Sequence, residues 1–107
     1  MMSSSNKMLI IFMDERDVWA GMPLYEEVLQ RLKDHEVAGA TVLPGLSGYG
    51  DQLPLYRGPS RPVAVLSVDS EAKFREVMPD LEPILGERFM VLTDAELVGS
   101  LSGAPVM

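Results

Sequence analysis

One histidine, no cysteine and a scatter of carboxylates limit the chemistry open to this chain. His35 would have to anchor any Ser-His-Asp or Cys-His arrangement. It falls late in a helical pattern, beside Arg31, Lys33 and Asp34, where a cationic ring complements the negative end of a helix better than it serves a substrate. Glu26-Glu27 and Asp94 with Glu96 supply carboxylates, but their spacing sets no pair across one substrate. Asp14, Glu15 and Asp17 lack the further oxygen ligands that calcium requires, so they read as a solvated turn. The expectation is a protein that is not an enzyme, with no catalytic residues, metal site or cofactor.

Binding residues are easier to find. Gly45-x-x-Gly48-x-Gly50 follows an apolar run, and bare glycine amides can wrap a phosphate. The same glycines also make a simple bulge or turn, and neither a following helix nor an internal base turns them into a dinucleotide fingerprint or a P-loop. Tyr49 is placed either to stack on a ring or to pack within the loop. Arg57 and Arg61 are the bases nearest this stretch and the first candidates to pair with phosphate or carboxylate. Arg88 is a third candidate, with a surface ion pair as its alternative. Trp19, the sole tryptophan, is expected to pack over a sheet edge or across a subunit contact, with ligand stacking as the minority reading.

The bulk properties narrow the partners. A chain of 107 residues, 47% hydrophobic and 23% charged, forms one ordinary domain. A formal charge of -7, with the bases unclustered in sequence, repels nucleic acid and anionic membranes. The absence of cysteine fits a reducing interior. Lys7 and the apolar run after it imitate a secretory signal, but Asp14, Glu15 and Asp17 follow without a cleavage pattern. A cytoplasmic protein with no membrane insertion is expected. Residues 1–6 read as a flexible leader, 7–98 as the domain and 99–107 as a flexible tail.

The elements that must position these groups begin with a strand over Lys7–Asp14. Leu24, Val28 and Leu32, with Tyr25 and Leu29 beside them, give a helix from Pro23 to Val37 with a stop at Gly39. A second strand covers Ala40–Leu46, and a Pro- and Gly-rich stretch separates it from a third over Arg61–Asp69. That stretch is too long for a plain hairpin loop and is the first candidate for a functional loop. Asp69 or Ser70 caps a second helix, in which Pro79 and Pro83 predict a kink or break near Met78. Arg88–Thr93 makes the fourth strand with Phe89, Val91 and Leu92 inward, and Glu96-Leu97-Val98 is expected to pair briefly. Strand, helix, strand, strand, helix, strand is the order of an α+β, ferredoxin-like βαββαβ two-layer sandwich.

Right-handed crossovers put both helices on one face of such a sheet. Yet Met8-Leu9-Ile10-Ile11-Phe12-Met13 and Val63-Ala64-Val65-Leu66 are apolar on both faces. The uncovered face therefore calls for a second copy of the chain. Five or six aliphatic side chains buried there would contribute on the order of 10 kcal/mol before entropy costs.

Asp17-Val18-Trp19-Ala20-Gly21-Met22-Pro23-Leu24-Tyr25-Glu26, then Ala38-Gly39-Ala40-Thr41-Val42-Leu43 and Gly45-Leu46-Ser47-Gly48-Tyr49-Gly50, resemble a small bacterial family, domain of unknown function 190. Val68-Asp69-Ser70-Glu71-Ala72-Lys73 is similar to that family's entry to its second helix. The resemblance implies a PII-like fold, a homotrimer, and small effectors such as nucleotides held between subunits, without catalysis. The chain departs from the pattern at Pro44, where a basic residue is expected, and after Gly50, where a polar run with histidine is missing. The leading expectation is a PII-like trimeric signalling or binding protein that senses a small anionic effector, or a partner protein, through the loop after the second strand. The alternative is a small dimeric ferredoxin-like barrel enzyme acting on an apolar molecule, which would draw on His35, Tyr25, Trp19 and Tyr49. A divalent-metal trimer resembling copper-tolerance proteins is disfavoured by the lone histidine and missing cysteines.

Overall fold

The computed structural model describes residues 5–46 and 62–98. Its elements run β1 (Asn6–Asp14), β2 (Val18–Trp19), β3 (Met22–Pro23), α1 (Leu24–Asp34), β4 (Ala40–Pro44), β5 (Pro62–Ser70), α2 (Glu71–Leu85) and β6 (Met90–Asp94). The four long strands form one antiparallel sheet in the order β4-β5-β1-β6. That is the ferredoxin-like arrangement expected from the strand and helix order. Among the described residues no helix is long and apolar enough to cross a membrane.

Period-two alternation along the strands builds the core. Leu9, Ile11 and Met13 of β1 and Val63 and Val65 of β5 point to the helix side and are buried. Leu24, Val28 and Leu32 meet them from α1, and Phe74, Val77, Leu81, Ile84 and Leu85 from α2. Ser67 shares that buried row and satisfies its hydroxyl on the Gly39 carbonyl.

Helix α1 starts at Pro23 without a side-chain cap, and Leu24 N donates to Asp17 O at 2.8 Å. It ends earlier than the glycine suggested. Glu36 takes the left-handed conformation at φ 64°, with Glu36 N bonded to Lys33 O at 2.9 Å and Val37 N to Leu32 O at 3.0 Å, a Schellman stop. Helix α2 is capped as expected, Ser70 Oγ accepting from Lys73 N at 3.1 Å.

Several expectations need correcting. Helix α2 runs unbroken through Pro79 and Pro83, because five buried apolar side chains spread over its length hold it on the sheet despite two missing N–H donors. In β6 the inward residues are Met90 and Leu92, since the register pairs Met90 with Ile11 and Leu92 with Leu9. Phe89 and Val91 face the other way and are exposed. Glu96-Leu97-Val98 forms no strand; the ladder-like contact before it is Ala95 N to Asn6 O at 3.1 Å. The acidic turn is not solvated throughout. Asp14 is buried, its Oδ1 accepting Arg16 N at 2.8 Å and its N donating to Asp17 Oδ2 at 3.0 Å.

A hairpin with no counterpart in the sequence periodicity fills the gap before α1. Val18 pairs with Pro23 and Trp19 with Met22 around Ala20-Gly21, both at positive φ (51° and 85°), as a tight type I′ turn requires. Trp19 packs beside α1 with the Arg31 guanidinium 6.0 Å from its ring centre.

Candidate functional site

The face of the sheet opposite the helices has the most uniform chemistry in the molecule. Cross-strand register lines it with three rows: Thr93, Met8 and Val68; Val91, Ile10, Leu66 and Thr41; Phe89, Phe12, Ala64 and Leu43. Phe89 belongs to the last row because Phe12 N donates to Phe89 O at 3.1 Å. Nine of these eleven side chains are apolar and none is charged, whereas the ion pairs of Lys7 with Glu71 and Asp94 lie toward the helix side. Both helices pack on the other side, leaving Phe12 38%, Val91 42%, Leu43 47% and Phe89 51% exposed. Isolated surface leucines mean little, but a contiguous apolar patch of this extent marks an interaction surface.

Of the expected ligand residues, Gly45 and Arg88 lie at the end of the sheet where β4 stops and β6 starts. Gly45 N donates to Pro62 O at 2.8 Å, so its amide is engaged within the chain. A Cβ there would stand 3.1 Å from Pro62 Cγ and 3.4 Å from Pro62 O, a tight approach that would press on the proline ring. Arg88 is also committed locally, Nε donating to Asp17 Oδ2 at 2.8 Å and Nη1 to Leu85 O at 3.0 Å, which ties the end of α2 to the turn after β1. β4 and β6 are opposite edges, so Gly45 and Arg88 stand three strand spacings apart, about 14 Å. One subunit does not bring them together. Gly48, Tyr49, Gly50, Arg57 and Arg61 lie outside the described residues.

Polar groups that the sequence pattern did not bring together join the outer sides of the two helices. His35, at the end of α1, has Nδ1 3.3 Å from Glu76 Oε2 and Nε2 3.3 Å from Asp80 Oδ2. The bond to Glu76 is the main cause raising the ring's pKa above its ordinary 6.5, and the ring in turn lowers Glu76. Arg31 reinforces the seam, donating to Glu27 at 2.7 Å and to the Asp80 carbonyl at 2.8 Å. Helical spacing alone gave no sign that these residues meet. Among the described residues no group of three or more His, Asp or Glu side chains is placed to hold a metal ion.

The profile of the DUF190 family, described as an uncharacterized ACR, matches residues 6–97. A UPF0166 protein of Methanocaldococcus jannaschii is 31% identical over 97 residues, covering 85% of this chain and 90% of the relative. A UPF0166 protein of Aquifex aeolicus is 32% identical over 100 residues, covering 86% and 92%. In structure the chain is similar to the divalent ion tolerance protein CutA1 from Ehrlichia chaffeensis, with a TM-score of 0.63 at 7% identity over 92% of this chain and 88% of that one. At that identity the likeness is one of fold.

Proposed function

This chain belongs to the DUF190 family, and from that premise we propose that it is a PII-like, non-catalytic binding module that works as a homotrimer. The uncharged sheet face carries this reading, because a subunit left alone in water would forgo the burial of Ile10, Phe12, Leu66 and Val91. The loop after β4 then senses a small anionic effector, a nucleotide being the first candidate, or touches a partner protein. Gly45 and Arg88 sit at opposite edges of one sheet, so a site using both would form where one subunit's β4 meets another's β6. CutA1 is a divalent ion tolerance protein, but here a lone histidine held between two carboxylates and a chain without cysteine favour an organic anion as cargo over a soft metal.

Sedimentation velocity gives the test of assembly, and a mass of three subunits is expected at micromolar concentration. Nucleotides and related phosphates are then titrated by calorimetry and thermal shift, where a ligand at 100 times its Kd stabilises by about 2.7 kcal/mol. Heat and a shift are expected from at least one. A trimer that responds to none keeps the scaffold and ends the effector half of the reading; a monomer ends both.

A further inference from the structure

Two features at opposite edges of the sheet fit each other better than they fit anything in their own subunit. At the start of β4 an apolar depression of about 360 Å³ opens on the helix side, lined by Leu29, Leu32, Val37 and Ala38, with Lys33 at its rim. A second, of about 460 Å³, opens on the bare side among Met8, Thr41, Leu66 and Val68. Gly39 and Ala40 line both. The two depressions thus flank one backbone edge, and among the described residues β4 pairs only with β5, leaving that edge free to receive a strand. The floor is preformed, since Ala38 N donates to Asp69 Oδ2 at 2.8 Å and Ser67 Oγ to the Gly39 carbonyl.

A strand laid along such an edge sends alternate side chains to the two faces. Just past β6, Leu97 and Val98 are 59% and 81% exposed, and these apolar residues follow Glu96 without a ladder of their own. They cannot serve their own β4. β6 lies three strand spacings away, and the four residues from 95 to 98 span at most about 14 Å, a length used up in crossing the sheet.

We propose that residues 96–98 of one copy add as an extra strand to the outer edge of β4 in the next copy. Charge sets which side chain goes where: the bare-side depression beside β4 has no charged lining residue and Lys33 rims the helix side, so Glu96 and Val98 take the helix side and Leu97 the bare side. The contact is heterologous, β4 of each subunit receiving a segment that leaves β6 of its neighbour, and such contacts give a ring where the rotation between copies closes, as the proposed trimer requires. This inference rests on the self-assembly proposed above and names the elements that make it.

The chain holds no native cysteine, which permits a direct trap. In a Thr41→Cys, Leu97→Cys variant, mild oxidation should link subunits into covalent ladders on a denaturing gel, while each single cysteine variant gives far less. Separately, Leu97→Asp should raise the dissociation constant at least about 10-fold by sedimentation, as expected for charging a buried leucine site. Glu96→Lys should weaken assembly, and the Lys33→Glu partner change should restore it. Phe12→Asp, on the bare face away from the β4 edge, separates the two ideas. If Phe12→Asp dissociates the assembly while Leu97→Asp and the double cysteine variant behave like wild type, self-assembly stands and the strand addition is overturned. A wild type that stays monomeric overturns both, and assembly unaffected by Leu97→Asp together with no specific cross-link overturns the strand addition whatever Phe12→Asp does.

Discussion

Glu36 holds a backbone conformation that its side chain resists. At φ 64° it closes the Schellman turn after α1, where a residue with a Cβ costs roughly 1–2 kcal/mol and glycine does not. Glycine gives back part of that gain through its freer unfolded chain, so Glu36→Gly should stabilise by roughly 0.5–1 kcal/mol in urea denaturation. Gly39, three residues on, meets no steric demand of this kind, having open space where a Cβ would sit. His35, next to Glu36, gives the molecule a pH dependence. Its pKa is raised in the folded state by Glu76 first and Asp80 second, so its stabilisation is fully present below the ordinary 6.5 and disappears as pH climbs through the raised value. Glu76 is lowered by His35 first and Lys73 second, so its contribution is present above the ordinary 4.5 and fades as pH falls through the lowered value. The cross-helix pair is therefore strongest from about pH 4.5 to 6.5. Denaturation curves of His35→Gln and wild type should differ most in that window and converge above the folded pKa of the ring. Curves that differ equally at every pH would assign His35 a packing role alone.

Elements were legible wherever one periodicity ran long enough to decide between helix and strand. The unbroken apolar stretches placed β1 and β5 within a residue, and Leu24, Val28 and Leu32 placed the start of α1 within a residue but its end three residues too late. The β2–β3 hairpin was not legible, because strands of two residues carry no period and Ala-Gly is a poor advertisement for a turn usually marked by Asn-Gly. The inward face of β6 was misread for a related reason: in Phe89-Met90-Val91-Leu92 every residue is apolar, and only the register with β1 selects Met90 and Leu92. The candidate site suffered most, since Gly45 and Arg88 are chemically suited to an anion yet each is already paired inside the fold. Helix α2 shows tertiary packing overriding propensity. Pro79 is exposed and removes the N–H that would bond the Arg75 carbonyl, so its ring is tolerated rather than required. Pro79→Ala should raise stability by about 1 kcal/mol, a portion of the roughly 3 kcal/mol interior proline penalty because the alanine chain is also freer when unfolded. A thermal midpoint that falls instead would mean that the proline shapes the helix to its seat on the sheet.

At the scale of the whole molecule, the helix layer and the bare layer have opposite relations to water. One covers a complete core; the other offers three apolar rows to whatever lies beyond it. Hydrophobic burial is non-directional, so the size of this patch states a need for cover, and strand edges state the geometry in which cover can be supplied. Each chain carries a formal charge of -7, so copies repel at long range, and the association proposed above has to be made at contact through the apolar rows. Association should therefore strengthen from about 0.01 M to 0.15 M salt, as the screening length shrinks from about 30 Å to 8 Å. Val91→Asp tests the face with little disturbance to the subunit, because Val91 is 42% exposed on an edge strand and makes no part of the buried core. Wild type should show a thermal midpoint that rises with protein concentration, as mass action requires of a folded assembly in equilibrium with unfolded chains. The Val91→Asp chain should sediment as a smaller species with a midpoint independent of concentration, whereas Val91→Thr, matched in shape and uncharged, should remain assembled. If both variants assemble like wild type, the β6 side of the sheet is not in the contact, and the cover must come from the β4 side alone.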